Sequence, residues 1–371
     1  VTIAVLALLI WVWLLACRGA FWRTGPFLPP CPPGEWSPVD VVVPARDEAD
    51  LIAASVGSLL AQEYRGPLRV VLVDDGSGDG TGAIARGLAG RHALKIIDGV
   101  ARPRGWAGKT WAMHQGVAET DAPFVMLTDA DIVHAPNHVA SMVAQADATG
   151  ADMVSEMVAL HCESLAERAL IPAFVYFFAL LYPFAWVNDG LRATAAAAGG
   201  SVLIRRAALA RIGGIAAISG ALIDDVALAR AVKRGGRIWL GHSVLARSIR
   251  PYPAFADIWR MVSRSAYVQL GFSPVLLLGT VIGMALVFLA PPASVLFGGS
   301  WAMRIVGFAG WALMSVSFVP TLRRFRCALA WSPALPLIAC FYIAATIGAA
   351  VSHYRGNGVA WKQRTYTERR A

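Results

Sequence analysis

The chain has 371 residues, 57% of them hydrophobic and 15% charged, with a formal net charge of +9. Soluble domains carry about 45–50% apolar and about 25% charged residues, so this composition excludes an ordinary soluble protein and points to a membrane protein with one soluble domain. The basic clusters Arg323-Arg324-Phe325-Arg326 and Arg355 to Arg370 flank apolar segments, which favours an anionic membrane surface over nucleic acid as the partner.

Residues 1–17 are apolar throughout, at the short end of the about 17–25 residues that a spanning helix needs. A cleaved signal is the alternative, and Leu14-Leu15-Ala16-Cys17 has the look of a lipoprotein cleavage site. No basic residue precedes the run, however, and Arg18 and Arg23 follow it, which favours a retained transmembrane helix. Residues 18–38, Pro-rich from Pro26 to Pro38, read as a linker. From Val39 to about Gly150, β-branched runs (Val39–Val43, Val70–Val73, Phe124–Leu127) alternate with helical stretches near Leu51–Leu60, Ala83–Leu88 and Thr110–Ala118. That alternation predicts an α/β domain with a parallel sheet, whose ligands bind at the carboxyl ends of the strands.

Residues 169–187 are apolar and aromatic. A crossing there would put Asp129 and Asp131 on the opposite side of the membrane from Asp224 and Asp225. An interfacial or re-entrant element is expected instead, with a buried core helix as the alternative. Residues 275–297, 301–322 and 334–352 are long and apolar enough to span, giving a membrane region of two or three helices over 275–354 and a basic tail over 355–371. The five cysteines form no CxxC pair, so neither a zinc site nor a disulfide framework is expected.

Four polar clusters follow the strands in order. Pro44-Ala45-Arg46-Asp47-Glu48 closes the first strand, and Asp74-Asp75-Gly76-Ser77 closes the second. The carboxylates of the second can accept hydrogen bonds from a base or a ribose, although Asp, Gly and Ser also favour plain turns. The following Gly78-Asp79-Gly80-Thr81-Gly82-Ala83 matches a dinucleotide fingerprint, but Asp74 and Asp75 stand where the pyrophosphate would lie. Gly105-Trp106-Ala107-Gly108-Lys109-Thr110 ends like a P-loop, yet Pro103 occupies the first glycine position. Lys109 is therefore read as facing donor phosphates. Thr128-Asp129-Ala130-Asp131 presents two carboxylates spaced D-x-D, hard oxygen ligands suited to Mg2+ or Mn2+ on a diphosphate. His134 and His138 have a metal-like spacing, but with Pro136 between them they read as surface residues at a helix start.

Downstream, Gly199-Gly200-Ser201 precedes Asp224-Asp225-Val226, where the acidic pair reads either as a helix cap or as a base facing a cleft. Arg260 and Arg264 share a helix face and suit lipid head groups or a leaving diphosphate.

In this order the stretches VVVPARDEADLI, VVLVDDGSGDGT, GWAGKTWAMHQG, LTDADI, AGGSVLIRR and IDDVALA resemble glycosyltransferase family 2, over roughly residues 39–270. Within it, LIPAFVYFFALLYPFAWVND, ALIDDVALARAVKRGGRIWLG and RMVSRSAYVQL are similar to the hopene-associated glycosyltransferases, and the WKQRTY tail near Trp361–Tyr366 is similar to membrane members. The resemblance implies a GT-A fold and an inverting, metal-dependent transfer from a nucleotide-sugar donor, taken as a UDP-sugar, to a membrane lipid, with a hopanoid as one acceptor. It implies Asp225 as base, with Asp224 in the place of the usual Glu, and Asp129 and Asp131 as the metal motif, Asp131 the more direct ligand. Pro44, Arg46, Glu48, Asp74, Asp75, Lys109, Asp129 and Arg264 are assigned to the donor, Asp75 to its base or ribose. The family's Q-x-x-R-W motif is altered, since Met261 replaces Gln and Ser265 replaces Trp around Arg264. This favours a single transfer over a processive synthase, which stays open alongside a non-catalytic scaffold. Nucleotide sugars are made in the cytoplasm, so the domain is expected on the cytoplasmic face of a bacterial inner membrane.

Overall fold

The computed structural model describes residues 1–31, 36–355, 359–361 and 364–366. Each β-branched run folds as a strand of one eight-stranded sheet: β1 (Val39–Ala45), β2 (Leu68–Asp74), β3 (Ala93–Asp98), β4 (Phe124–Thr128), β5 (Ile132–His134), β6 (Met153–Ala159), β7 (Ser201–Arg205) and β8 (Ile238–Ser248), in the order β3-β2-β1-β4-β7-β6-β8-β5. All residues of β1 and β4 are buried, because apolar packing covers both sheet faces at these central strands. Val42, Val71 and Val125 lie in the core on one face, and Val41, Val70 and Met126 in the core on the other.

The expected parallel arrangement holds for β3, β2, β1 and β4. Beyond β4 the sheet is mixed, with β7 antiparallel to both β4 and β6, and β5 antiparallel to β8. The chain leaves β6 and re-enters β7 at the same sheet edge, so β7 must run back; only a crossover restores the parallel sense. The consequence for the site is direct. The carboxyl ends of β1 and β4 and the start of β7 meet at one edge, where Thr128 pairs with Ser201.

Three helices, Pro274–Phe297, Trp301–Arg324 and Leu329–Tyr354, are long and apolar enough to cross a membrane. The apolar helix Thr2–Cys17 is shorter and packs among them, its Trp11 Nε1 donating to Val287 O at 2.7 Å. The helix Leu165–Leu181 lies between sheet and bundle: Val175, Ala179 and Tyr182 enter a sheet-side core, while Ala173 and Tyr176 enter the bundle core. Its Tyr176 hydroxyl meets Ser317 Oγ at 2.7 Å, and Tyr342 Oη donates to Leu170 O at 2.9 Å.

Two expectations change. Arg324, read as part of a lipid-facing cluster, instead donates to Met157 O (3.0 Å) and Ser243 O (3.4 Å), fastening the end of a bundle helix to β6 and β8. The linker is not free either: Leu28 N donates to His242 O and His242 N to Pro26 O, and Leu28 is buried. Residues 32–35 of that linker, and most of the basic tail, lie outside the described residues; within the tail, Val359–Trp361 pairs with Arg364–Tyr366 as a short antiparallel ladder.

The helix Gly108–Ala118, which carries Lys109, sits tightly on the sheet because Gly116 has no side chain. A Cβ there would lie 2.4 Å from Val42 Cγ1 and 3.0 Å from Val73 Cγ2. Gly116→Val should therefore cost about 1–3 kcal/mol through overpacking and lower the unfolding temperature in detergent. Gly57→Ala, in a helix with nothing within 4 Å of the new Cβ, should leave it level or slightly raised. An unfolding temperature for Gly116→Val at or above that of the parent would contradict this packing.

Candidate active site

The polar residues gather where the sheet topology points, at the carboxyl edge between β1 and β4. β1 ends at Pro44-Ala45, and Glu48 sits just before the helix Ala49–Leu60. β4 ends at Thr128, followed by Asp129 and Asp131. The β8 extension runs antiparallel to β5, and Ile249 N donates to Asp131 O at 2.9 Å, so Arg250 is delivered beside the D-x-D pair. Its guanidinium bridges Asp131 Oδ2 (2.8 Å) and both Glu48 oxygens (2.5 and 2.6 Å). A second cation, Lys109 Nζ, reaches Asp129 Oδ1 at 2.8 Å and Asp224 Oδ2 at 3.2 Å. The loop before Asp224 fixes that lysine's helix, with Ala107 N donating to Ser219 O.

Asp224 and Asp225 open the helix Asp224–Lys233, whose capping position is Ile223; the pair does not cap it. Asp225 instead accepts from Gly199 N (Oδ2, 2.9 Å) and from Val226 N (Oδ1, 2.7 Å). A Cβ on Gly199 would press on Asp225 Oδ2 at 3.3 Å and on Lys109 Nζ at 3.4 Å, so this position keeps the backbone close to both charges.

These contacts set the electrostatics. Burial, and then the charge of Asp224, push the Asp225 carboxyl up to about 7, while Lys109 and the two backbone donors oppose the rise. Burial and the neighbouring Asp129 also raise Asp131, against the pull of Arg250. Burial would lower Lys109 and Arg250, but the carboxylates around each override it and hold both firmly protonated.

Two cavities open on this cluster. One, of about 650 Å³, is polar and is lined by Pro44, Glu48, Asp129, Asp131, Asp224, Arg250, Arg260 and Arg264, among others. The other, of about 590 Å³, is walled by Phe174, Phe177, Phe178, Tyr182, Met284 and Phe288 and reaches Asp225. Lys109, Asp129, Asp224, Tyr252, Met261 and Arg264 line both.

Most of the expected site residues converge here, but three do not. Arg46 is spent on the Asp75 carbonyl and lies 3.5 Å from its carboxylate. Asp75 is 2% exposed. Asp74 Oδ1 accepts from Ser77 N at 2.9 Å, which is the plain turn role. None of the three lines either cavity. His134 and His138 are not on the surface; both are buried, at 4% and 0% exposure, because β5 tucks under β8 and Glu156 lies against His138. Arg250 was missed altogether. Its signal was available in Ser248-Ile249-Arg250-Pro251-Tyr252-Pro253, an arginine closing a strand just before two prolines.

Among the described residues no cluster of three or more His, Cys, Asp and Glu side chains is arranged to hold a metal. The raised Asp131, crowded by Asp129 and Glu48, nonetheless fits a hard cation. Mg2+ in particular keeps several waters and needs only one or two carboxylates when substrate phosphates complete its shell.

Residues 40–213 match the family model described as glycosyl transferase family 2. The 4,4'-diaponeurosporenoate glycosyltransferase of Staphylococcus aureus is 31% identical over 93 residues, 25% of this chain and 23% of that protein; the chain thus spans less than a quarter of this relative's length. A mannosyltransferase from Pyrobaculum calidifontis, solved in complex with GDP-Man and Mn2+, shares the fold with a TM-score of 0.54 at 20% identity, over 94% of this chain and 98% of that one. The α/β architecture is thus that of GT-A glycosyltransferases, joined to apolar helices.

Arg250 neutralises two carboxylates at once. Arg250→Met should destabilise the fold by about 2–4 kcal/mol at pH 8, less than a fully buried pair because its side chain is 27% exposed. Part of the loss should return at pH 5, where protonation of the raised Asp131 carboxyl relieves its unpaired charge. Thermal unfolding at the two pH values checks this, and a loss that is the same at both would contradict it.

Proposed function

We propose that this protein is a membrane-bound glycosyltransferase that moves a sugar from a nucleotide-diphosphate donor, a UDP-sugar in the first instance, to the hydroxyl of a lipid, with inversion. The observation that carries this reading is the meeting of two chemically different cavities along a wall that includes Lys109, Asp129, Asp224 and Arg264, with Asp225 on the apolar side of it. The polar one suits a nucleoside diphosphate, and the apolar one suits a lipid body entering from the helix bundle. A hopanoid is the acceptor that the subgroup resemblance favours. The family match and the shared fold support the donor class, and the Staphylococcus aureus relative supports a lipid acceptor.

Asp225 takes the proton of the acceptor hydroxyl as that oxygen attacks the anomeric carbon. The adjacent Asp224 keeps Asp225 basic, and Gly199 N and Val226 N aim its oxygens. Lys109 and Arg264, present in both cavities, offset charge on the departing diphosphate, and the wall they share brings the two substrates together. Asp129 and Asp131 would hold a Mg2+ or Mn2+, which when bound would add positive charge at the diphosphate. A one-step displacement of this kind inverts the anomeric centre. With cytoplasmic donors, the domain faces the cytoplasm and the helices lie in the inner membrane.

The test offers UDP-, GDP- and dTDP-sugars, labelled in the sugar, to the full chain with bacterial lipid extract. Label should move into the organic phase; label released only as free sugar, or none moved with any donor, would overturn the reading. Turnover should rise with pH through about 7, because only ionised Asp225 accepts a proton. Asp224→Asn removes a repelling charge, so this limb should move to lower pH. Asp225→Asn should lower kcat by about 10²–10⁴-fold while donor affinity stays close to normal. A pH limb that Asp224→Asn leaves in place would contradict the pairing.

A further inference from the structure

Beneath the D-x-D strand runs a chain of four buried polar side chains, none of which lines either of the two cavities. Glu156 Oε1 meets His138 Nε2, His138 Nδ1 lies 3.1 Å from His134 Nδ1, and His134 Nε2 lies 3.2 Å from Thr128 Oγ1. The Thr128 hydroxyl donates to Gly200 O at 2.8 Å. Exposures are 0% for Glu156 and His138, 4% for His134 and 2% for Thr128. Burying so many polar groups is costly unless every hydrogen bond is made.

The protons can be counted along the chain. Thr128 has one hydroxyl proton, committed to Gly200 O, so its oxygen must accept from His134. His134 therefore carries its proton on Nε2, and its Nδ1 is a bare acceptor. That acceptor requires a proton on His138 Nδ1, and the contact between His138 Nε2 and Glu156 Oε1 closes the chain. The opposite assignment, with His134 donating to His138, would make Thr128 donate to His134 and leave the 2.8 Å contact to Gly200 O without a proton. Burial and the neighbouring His138 hold His134 well below the usual histidine range, in keeping with a neutral ring there.

We propose that Glu156, His138, His134 and Thr128 form a one-directional positioning relay, with His138 donating from Nδ1, that locks the D-x-D strand to the loop holding the base. The lock point is Gly199-Gly200. Gly200 O takes the Thr128 hydroxyl and also Asp129 N, at 3.4 Å, while the preceding Gly199 N holds Asp225 Oδ2. The relay thereby fixes the donor side and the base side against each other without touching a substrate. As a positioning role in transfer it rests on the function proposed above; the protonation pattern does not.

The roles dictate which substitutions are tolerated. Glutamine offers one acceptor and a donor, so His134→Gln can accept from His138 and still donate to Thr128, whereas His134→Leu cannot. Thr128→Ser keeps the hydroxyl, and Thr128→Val loses it. Nitrogen-15 NMR on the full chain in detergent, with labelled histidine, should show at pH 8 a buried ring with its proton on Nδ1, that of His138. That signal should vanish in His138→Gln. In transfer assays His134→Leu and Thr128→Val should lower kcat by about 10–100-fold, the scale of a small misplacement, with KM for the donor little changed. His134→Gln and Thr128→Ser should recover most of it. A His138 ring with a bare Nδ1, or folded His134→Leu with parental kcat, would overturn the relay. If the parent chain transfers no sugar at all, the functional reading fails instead, and the NMR signature alone decides the relay.

Discussion

Five carboxylates crowd one edge of the sheet, and two partly buried cations hold them there. Glu48, Asp129, Asp131, Asp224 and Asp225 come from three separate parts of the chain, and Lys109 and Arg250 bind across those parts. Unit charges about 4 Å apart interact by about 4 kcal/mol near a protein surface, so neither cation can leave without the edge loosening. Negative charge still exceeds positive in this inner group. Burial, and then this excess, raise the Asp131 and Asp225 carboxyls, and the excess disposes the edge to take a further cation together with a diphosphate.

The membrane helices complete the site as well as carrying it. The helix Leu165–Leu181 packs with one side on the sheet and the other on the bundle, and its Phe174, Phe177 and Phe178 form the wall of the apolar cavity. Arg324 and the Tyr176–Ser317 contact fasten that arrangement from the bundle side. A lipid reaching Asp225 through this cavity keeps its body in apolar surroundings, so only the reacting hydroxyl needs to meet the charged edge.

What could be read from the sequence was local. The runs Val39–Val43, Val70–Val73 and Phe124–Leu127 announce strands because β-branched residues fit a pleated sheet buried on both faces. Asp129 and Asp131 stood out because they follow the run Phe124–Leu127, whereas Asp225, in the first turn of a helix, was singled out through the family resemblance. What could not be read depends on pairing at a distance. The reversal at β7 follows from where the chain re-enters the sheet. Arg250 meets Asp131 across 119 residues. His134 and His138, four apart around a proline, look like a surface turn until β5 pairs with β8 and Glu156 closes over them. Asp74 has the composition of both a turn and a ligand, and only its bond to Ser77 N distinguishes them.

The charge excess at the sheet edge can be measured without knowing the acceptor. Equilibrium binding of UDP and GDP to the purified full chain, in chelator and again with Mn2+, tests it most directly. At least one of the two should bind tenfold or more tightly with the cation, because Asp129, Asp131 and Glu48 repel a bare diphosphate and attract a cation-bound one. Equal affinity in chelator and in Mn2+, or no binding of either nucleotide, would contradict the account of this edge as a donor site.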